Sequence, residues 1–115
     1  MNVLFVCSKN KWRSPTAEKI YQNRPMIQVK SAGTSKFAKR KISKKDILWA
    51  DIIFAMESKH KERILSEFRE LMPNKTIYIL KIPDIFGYMD HLLIEKILTA
   101  VDPILALWLP DLSQQ

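Results

Sequence analysis

At 115 residues, 47% hydrophobic and 27% charged, the chain has the profile of one folded domain spanning residues 1–115, with too little length for two cores. No apolar run approaches the roughly 18 residues of a membrane span, the first residues lack the basic flank of a secretory leader, and one cysteine excludes an internal disulfide or a multi-thiolate metal site. A cytoplasmic protein is therefore expected, with no cofactor, no metal and no membrane partner; its formal charge of +7 draws in anionic partners.

Residues 2–6 (NVLFV) are a short continuous apolar run, the pattern of a strand covered on both faces of a parallel sheet. Ser14 and Pro15 mark a helix start, with Ser14 at the cap and Pro15 at the first helical position, where a missing N–H is harmless. Ile20 and Tyr21 continue one face of that helix. Residues 27–30 predict a second strand, followed by a turn at Ser31, Ala32 and Gly33. The run KFAKRKISKK, residues 36–45, is basic at six of ten positions. Such a run is an ordinary solvated loop leading into a helix, or an electrostatic apron for an acidic substrate.

A short helix follows at residues 44–49 and a third strand at 51–55. Ile64, Leu65, Phe68, Leu71 and Met72 recur at helical spacing, giving one apolar stripe on a helix of about four turns. Residues 76–80 form a fourth strand, and a loop with Pro83, Asp84 and Gly87 leads to a last helix starting near Asp90 and carrying Leu93, Ile97 and Val101. From Pro103 onward the chain reads as an apolar, proline-bounded tail. His60 and His91, among polar neighbours, read as surface residues, and Trp49 and Trp108 as core.

Strands alternating with helices predict an α/β fold: a four-stranded parallel sheet with helices on both faces. Ligands bind such sheets beyond the carboxyl ends of the strands, which places Cys7, directly after the first strand, at the expected site. A loop running from Cys7 through Ser8, Lys9, Asn10, Lys11 and Trp12 into a helix N-terminus can turn its backbone N–H groups onto one anion, with the helix dipole adding positive charge. Arg13 closes this phosphate-binding loop with a planar fork that matches two phosphate oxygens. A thiol at the base of the cradle feels the same field, which favours the nucleophilic thiolate. Ser14 can donate a hydrogen bond to that sulfur. Trp12 either anchors the loop or lines the pocket wall. Ester cleavage also needs a proton donor for the leaving oxygen and then an activated water. Asp84 follows the fourth strand and so lies on the same sheet edge as Cys7, whereas Asp51 precedes a strand and Asp90 reads as a helix cap.

The segment VLFVCSKNKWRSPTAEKI, with SAGT at residues 31–34, ADIIFAMES at 50–58 and IPD at 82–84, resembles the low-molecular-weight protein tyrosine phosphatases, in particular a short branch of predicted members. The resemblance implies a cysteinyl-phosphate mechanism with Cys7 as nucleophile, Arg13 as phosphate clamp and Asp84 as general acid and base. Asn10 would brace the loop and Ser14 tune the thiolate. The implied substrate is a phosphorylated protein, most of all phosphotyrosine, or a small aryl phosphate, with inorganic phosphate as product. Lys9 stands where familiar members carry glycine, and Trp12 where many carry a second cysteine, so the redox switch built on that cysteine is absent.

Two other classes fit parts of the sequence. An oxyanion enzyme similar to arsenate reductases would need an external thiol at every turnover, because the chain has no second cysteine. A non-catalytic phosphate- or nucleic-acid-binding module would keep the cradle and use residues 36–45 as footprint, but no nucleic-acid recognition motif accompanies them, so nucleic acid is not an expected partner. No sequence feature specifies an oligomeric state.

Overall fold

The first strand, β1 (Asn2–Cys7), lies inside a sheet of order β2-β1-β3-β4, and every neighbouring pair is parallel. A computed structural model describes residues 1–73 and 75–109. The remaining elements are α1 (Arg13–Tyr21), β2 (Gln28–Gly33), α2 (Lys44–Trp49), β3 (Ile52–Ala55), α3 (Ser58–Phe68), β4 (Thr76–Ile79) and α4 (His91–Trp108). No helix among the described residues is long and apolar enough to cross a membrane.

The run of apolar residues in β1 follows from its central position. Val3, Phe5 and Cys7 face a core completed by Ala17 and Tyr21 of α1 and by Leu93, Ile97, Val101 and Leu105 of α4. Leu4 and Val6 face the other core, with Ile47 of α2 and Ile64 of α3. Alternate side chains thus leave water on opposite faces, each large one contributing about 1.5–3 kcal/mol. Phe5 stacks between Tyr21 and Phe54, tying α1 to β3 across the strand. The register pairs Cys7 with Gly33, Val6 with Ala55 and Ala55 with Ile79, so the carboxyl ends of all four strands share one edge.

Several elements depart from the sequence reading. Residues 31–33 do not turn: Ser31, Ala32 and Gly33 pair with Phe5, Val6 and Cys7 and extend β2 to the sheet edge. Helix α1 begins at Arg13, with Trp12 at its N-cap position, because the Ser14 hydroxyl is engaged elsewhere. Helix α3 is shorter than the apolar stripe suggests, ending at Phe68 in a single 3-10 turn, Arg69–Leu71, that carries the stripe on. Pro103 does not end the last helix, which continues to Trp108. Both Pro103 and Thr99, whose carbonyl it cannot bond, are exposed, so water can replace the lost hydrogen bond while Leu105 stays buried. Trp108 is not core but 40% exposed, donating from Nε1 to the Tyr78 hydroxyl at 2.9 Å, and Trp49 is half-buried under the Lys30 ammonium. Residues 110–115 of the proline-bounded tail lie outside the described residues.

Candidate active site

Between the end of β1 at Cys7 and the start of α1 at Arg13, the chain curls over the carboxyl edge of the sheet. Cys7 is buried, and its Sγ lies 2.9 Å from Ser14 Oγ. Asn10 is the residue of the loop with a positive φ, 57°, a conformation an asparagine reaches more cheaply than most. Lys9 is not among the positive-φ residues, so the side chain at the family's glycine position brings no left-handed strain. Asn10 is buried and spends both amide protons, on Ser14 Oγ at 2.9 Å and Ser31 Oγ at 3.0 Å. Because Ser14 Oγ accepts from Asn10, its own proton is left for the sulfur at 2.9 Å rather than the more distant Ala32 carbonyl at 3.4 Å. Ser31 passes the chain on to Glu18. The backbone N–H groups of residues 8–12 make no hydrogen bond to another described residue, which leaves a run of donors free for an anion.

The loop rests on the end of β2. Thr34 N donates to Cys7 O at 3.0 Å, Ser35 N to Ser8 O at 2.9 Å and Lys39 N to Lys9 O at 2.9 Å. Gly33 lies so close beneath that a Cβ there would stand 2.5 Å from Ser8 O and 3.0 Å from Asn10 N. On the other side His60, expected at the surface, is 1% exposed. Its Nδ1 accepts from Glu57 N at 3.0 Å, so in the neutral ring Nε2 carries the proton and donates to Ser8 Oγ at 2.8 Å. Burial, reinforced by the charge of Arg13, pushes the His60 imidazolium pKa down to about 4 and keeps the ring neutral at pH 7.

Arg13 is the largest fully buried side chain. Its Nη1 donates to Glu57 and, at 2.9 Å, to Ile82 O, while Nε lies 3.6 Å from Asp84 Oδ1, beyond hydrogen-bond distance. Nε is a buried donor without a hydrogen-bond partner among the described residues. Burial alone would raise the Glu57 carboxyl, but the hydrogen bond and charge of Arg13 outweigh it and hold that carboxyl below its ordinary value. Asp84 sits on a loop fixed at both ends. Before it, Leu80 N and Ile82 N donate to Ala55 O and Met56 O, both at 2.9 Å. After it, Met89 N donates to Thr16 Oγ1 at 2.9 Å, and that hydroxyl bonds Trp12 O at 2.7 Å.

Cys7, Asn10, Arg13, Ser14 and Asp84 are thus brought together, and Ser8 faces His60. Lys9, Lys11 and Trp12 place exposed side chains along the loop, so any contact of theirs with a buried anion runs through the backbone. Asp51 accepts from Asn2 N at the opposite edge and Asp90 caps α4, as expected. Glu57, His60 and Ser31 were not anticipated. Glu57 lies two residues beyond the carboxyl end of β3, and the edge rule that singles out Asp84 applies to it equally.

A cysteine-bearing loop thus lies between the first strand and the first helix of a parallel α/β sheet. Residues 2–43, which hold the loop but not Asp84, match the family described as low molecular weight phosphotyrosine protein phosphatase. A protein-arginine phosphatase of Geobacillus stearothermophilus is 34% identical over 92 aligned residues, which cover 59% of this chain and 62% of that relative. The match therefore spans less than two thirds of the curated relative. Among solved structures, the YwlE arginine phosphatase of the same organism superposes with a TM-score of 0.75 at 25% identity, covering 99% of this chain and 96% of that one. The low molecular weight protein tyrosine phosphatase SP-PTP of Streptococcus pyogenes shares the fold at a TM-score of 0.74 and 19% identity, over 91% of each chain. The chain is thus similar to the low molecular weight phosphotyrosine protein phosphatase family through residues 2–43, and shares its fold with the solved phosphatases.

Proposed function

We propose that the chain hydrolyses phosphorylated protein side chains through a cysteinyl-phosphate intermediate, without a metal or cofactor. The observation that carries this reading is the convergence on one buried sulfur of a hydroxyl donor, Ser14, and a run of uncommitted backbone N–H groups, with the Arg13 guanidinium and the Asp84 carboxylate beside each other at the same sheet edge. In the first step Cys7 Sγ attacks phosphorus in line and the bond to the leaving atom breaks. Asp84 delivers the proton to that atom, and the backbone donors with Arg13 hold the equatorial oxygens. In the second step Asp84 takes a proton from water, the water oxygen bonds phosphorus, and the S–P bond breaks to release inorganic phosphate. The Ser14 hydroxyl steadies the departing thiolate. A nucleophile of this kind needs a reducing compartment, in keeping with a cytoplasmic enzyme.

The proposed leaving group is the phenol of tyrosine. Lys9 and Lys11 are exposed on the loop; Trp12, 43% exposed, offers aromatic surface on the same loop, and Tyr88, 52% exposed, follows Asp84 on the segment that leads to α4. That combination suits a neutral ring entering phosphate-first. The guanidino group of phosphoarginine is the second reading, favoured by the relative named as a protein-arginine phosphatase. The arsenate reductase alternative would have to import a thiol, since Cys7 is the chain's one cysteine. The deciding experiment compares phosphate release from a phosphotyrosyl and a phosphoarginyl peptide of identical sequence, with chelator present, by the native protein and Cys7→Ser. Turnover that disappears with the thiol supports the mechanism, and the ratio of the two kcat/KM values assigns the leaving group. A folded native protein that turns over neither peptide refutes the reading.

A further inference from the structure

Beside the catalytic loop lies a second concavity, a cleft of about 730 Å³ whose walls include Ser8, Ser35, Lys36, Phe37, Lys59 and Arg63. Ser8 belongs to both places: its backbone runs in the anion loop and its hydroxyl meets His60, another wall of the cleft. The opposite wall is the start of the basic run, fastened to the loop by the backbone bonds from Ser35 to Ser8 and from Lys39 to Lys9. The run is therefore neither a detached solvated loop nor remote from the chemistry. Its far half is paired within the protein, Arg40 with Asp46 and Lys41 with Glu67. Its near half points the other way: Lys36 has no acidic partner among the described residues and lies 5.1 Å over the Phe37 ring, which is 74% exposed. The cleft's charged walls are Lys36, Lys59, Arg63 and Glu62; Lys59 shares the Glu57 carboxylate with Arg13, and Arg63 shares Glu67 with Lys41, so these pairs still leave an excess of positive charge.

We infer that this cleft takes an acidic stretch of the substrate protein, adjoining the phosphorylated residue whose phosphoryl group sits over Cys7. The inference rests on the phosphatase reading and adds to it a choice of substrate sequence. Charge complementarity selects an anionic occupant, and the shared Ser8 makes the cleft continuous with the loop, so one extended chain can fill both. The exposed Phe37 ring and the Ser35 and Ser66 walls suit a peptide, which brings apolar side chains and backbone groups along with its carboxylates. A flat lipid surface would not enter a concavity, and a nucleic acid is the competing polyanion that the test must separate.

The experiment measures kcat/KM at low and moderate salt for phosphopeptides bearing the same phosphorylated residue and either acidic or neutral flanks on each side. It uses the native protein and the double variant Lys36→Glu with Arg63→Glu, with an aryl phosphate as control. Both substituted side chains are exposed, and neither contacts the anion loop or Glu57, the counter-ion of Arg13. The native protein is expected to favour an acidic flank by on the order of 10-fold at low salt, less at moderate salt, since screening weakens such pairing. The double variant should lose that preference, prefer a basic flank instead, and keep its aryl phosphate turnover within about two-fold, a swap that misfolding cannot mimic. No flank preference in the native protein, or a preference that survives the double charge reversal, overturns the inference. So does an oligonucleotide that displaces the acidic peptide from the cleft at equal charge concentration. If the native protein turned over no substrate, the phosphatase reading would fail separately, and anisotropy of the same labelled peptides bound to it would decide the cleft.

Discussion

Arg13 and Glu57 form an ion pair in which the guanidinium is 1% exposed and the carboxylate 30% exposed, so the charge proposed to hold the phosphate is itself held from the solvent side of the site. Glu57→Gln leaves Arg13 buried with the half-exposed Asp84 carboxylate, 3.6 Å from Nε, as its remaining counter-charge among the described residues. A fully buried pair broken in this way costs about 3–5 kcal/mol, and the partial exposure of Glu57 reduces the expectation to about 1–2 kcal/mol. An oxyanion bound over Cys7 would restore the missing charge. Thermal unfolding with and without phosphate or vanadate should therefore show a lower Tm for Glu57→Gln and a larger ligand-induced rise than in the native protein. Equal ligand-induced shifts in the two proteins would separate Glu57 from the anion site.

Gly33 is required by contact rather than by conformation. Its φ is not positive, but an added Cβ would meet backbone atoms of the anion loop, Ser8 O at 2.5 Å and Asn10 N at 3.0 Å, which cannot swing aside as a side-chain end can. Gly33→Ala is expected to cost about 1–3 kcal/mol by overpacking. It should also lower kcat/KM for an aryl phosphate by at least about 10-fold, because the displaced atoms belong to the cradle itself. Retention of full activity alongside the stability loss would mean that the loop is free to shift without consequence.

The contrast between Gly33 and Cys7 indicates what the sequence can convey. The position of Cys7 was legible because an apolar run buried on both faces announces a central parallel strand, and Cys7 stands at that strand's carboxyl end, where the candidate site lies. Asp84 was legible by the same edge rule. Gly33 was misread as a turn because the need for it comes from a loop more than 20 residues earlier pressing on the strand. His60 was hidden among Ser58, Lys59 and Lys61, a neighbourhood that looks solvated. Its burial depends on Ser8 and Glu57, and no local pattern records that pairing. Pro103 misled because its cost depends on which helix face it occupies, and here that face meets water. Local periodicity thus located the elements, and tertiary contacts decided the second layer of the site.

His60 makes the supporting layer sensitive to acid. Its pKa lies near 6.5 in the unfolded chain and is pushed down to about 4 in the fold, by burial first and by Arg13 next. The unfolded chain binds more protons between those values. Stability is therefore complete above about pH 6.5 and falls as the pH drops towards 4, by up to about 3 kcal/mol for this group. The depressed Glu57 carboxyl has the same sign, its contribution being lost at lower pH, as the pH falls through its folded value. Denaturant unfolding at intervals from pH 7.5 to 4.5 should show His60→Gln destabilised at neutral pH and less pH-dependent than the native protein. Parallel curves for the two proteins would show that the ring does not gain a proton on unfolding.

Asp84 is half-exposed at the mouth, its Oδ1 3.6 Å from Arg13 Nε, on a loop held by Ile82 O on one side and Met89 N on the other. Fixed ends with an exposed carboxylate suit a group that must meet leaving atoms of different substrates without losing its place. Asp84→Asn keeps the size and removes the proton that the leaving group needs. The expected loss in kcat is about 10²–10⁴-fold for an alkyl or phenyl phosphate, whose departing oxygen is a strong base. For an activated nitrophenyl phosphate the loss should be smaller by at least about 10-fold, because that oxygen departs without help. A steeper dependence of rate on leaving-group pKa in Asp84→Asn than in the native protein is the pattern that identifies a general acid. An equal loss across the series would instead make Asp84 a partner of Arg13 alone, and the proton donor would have to be sought elsewhere at the mouth.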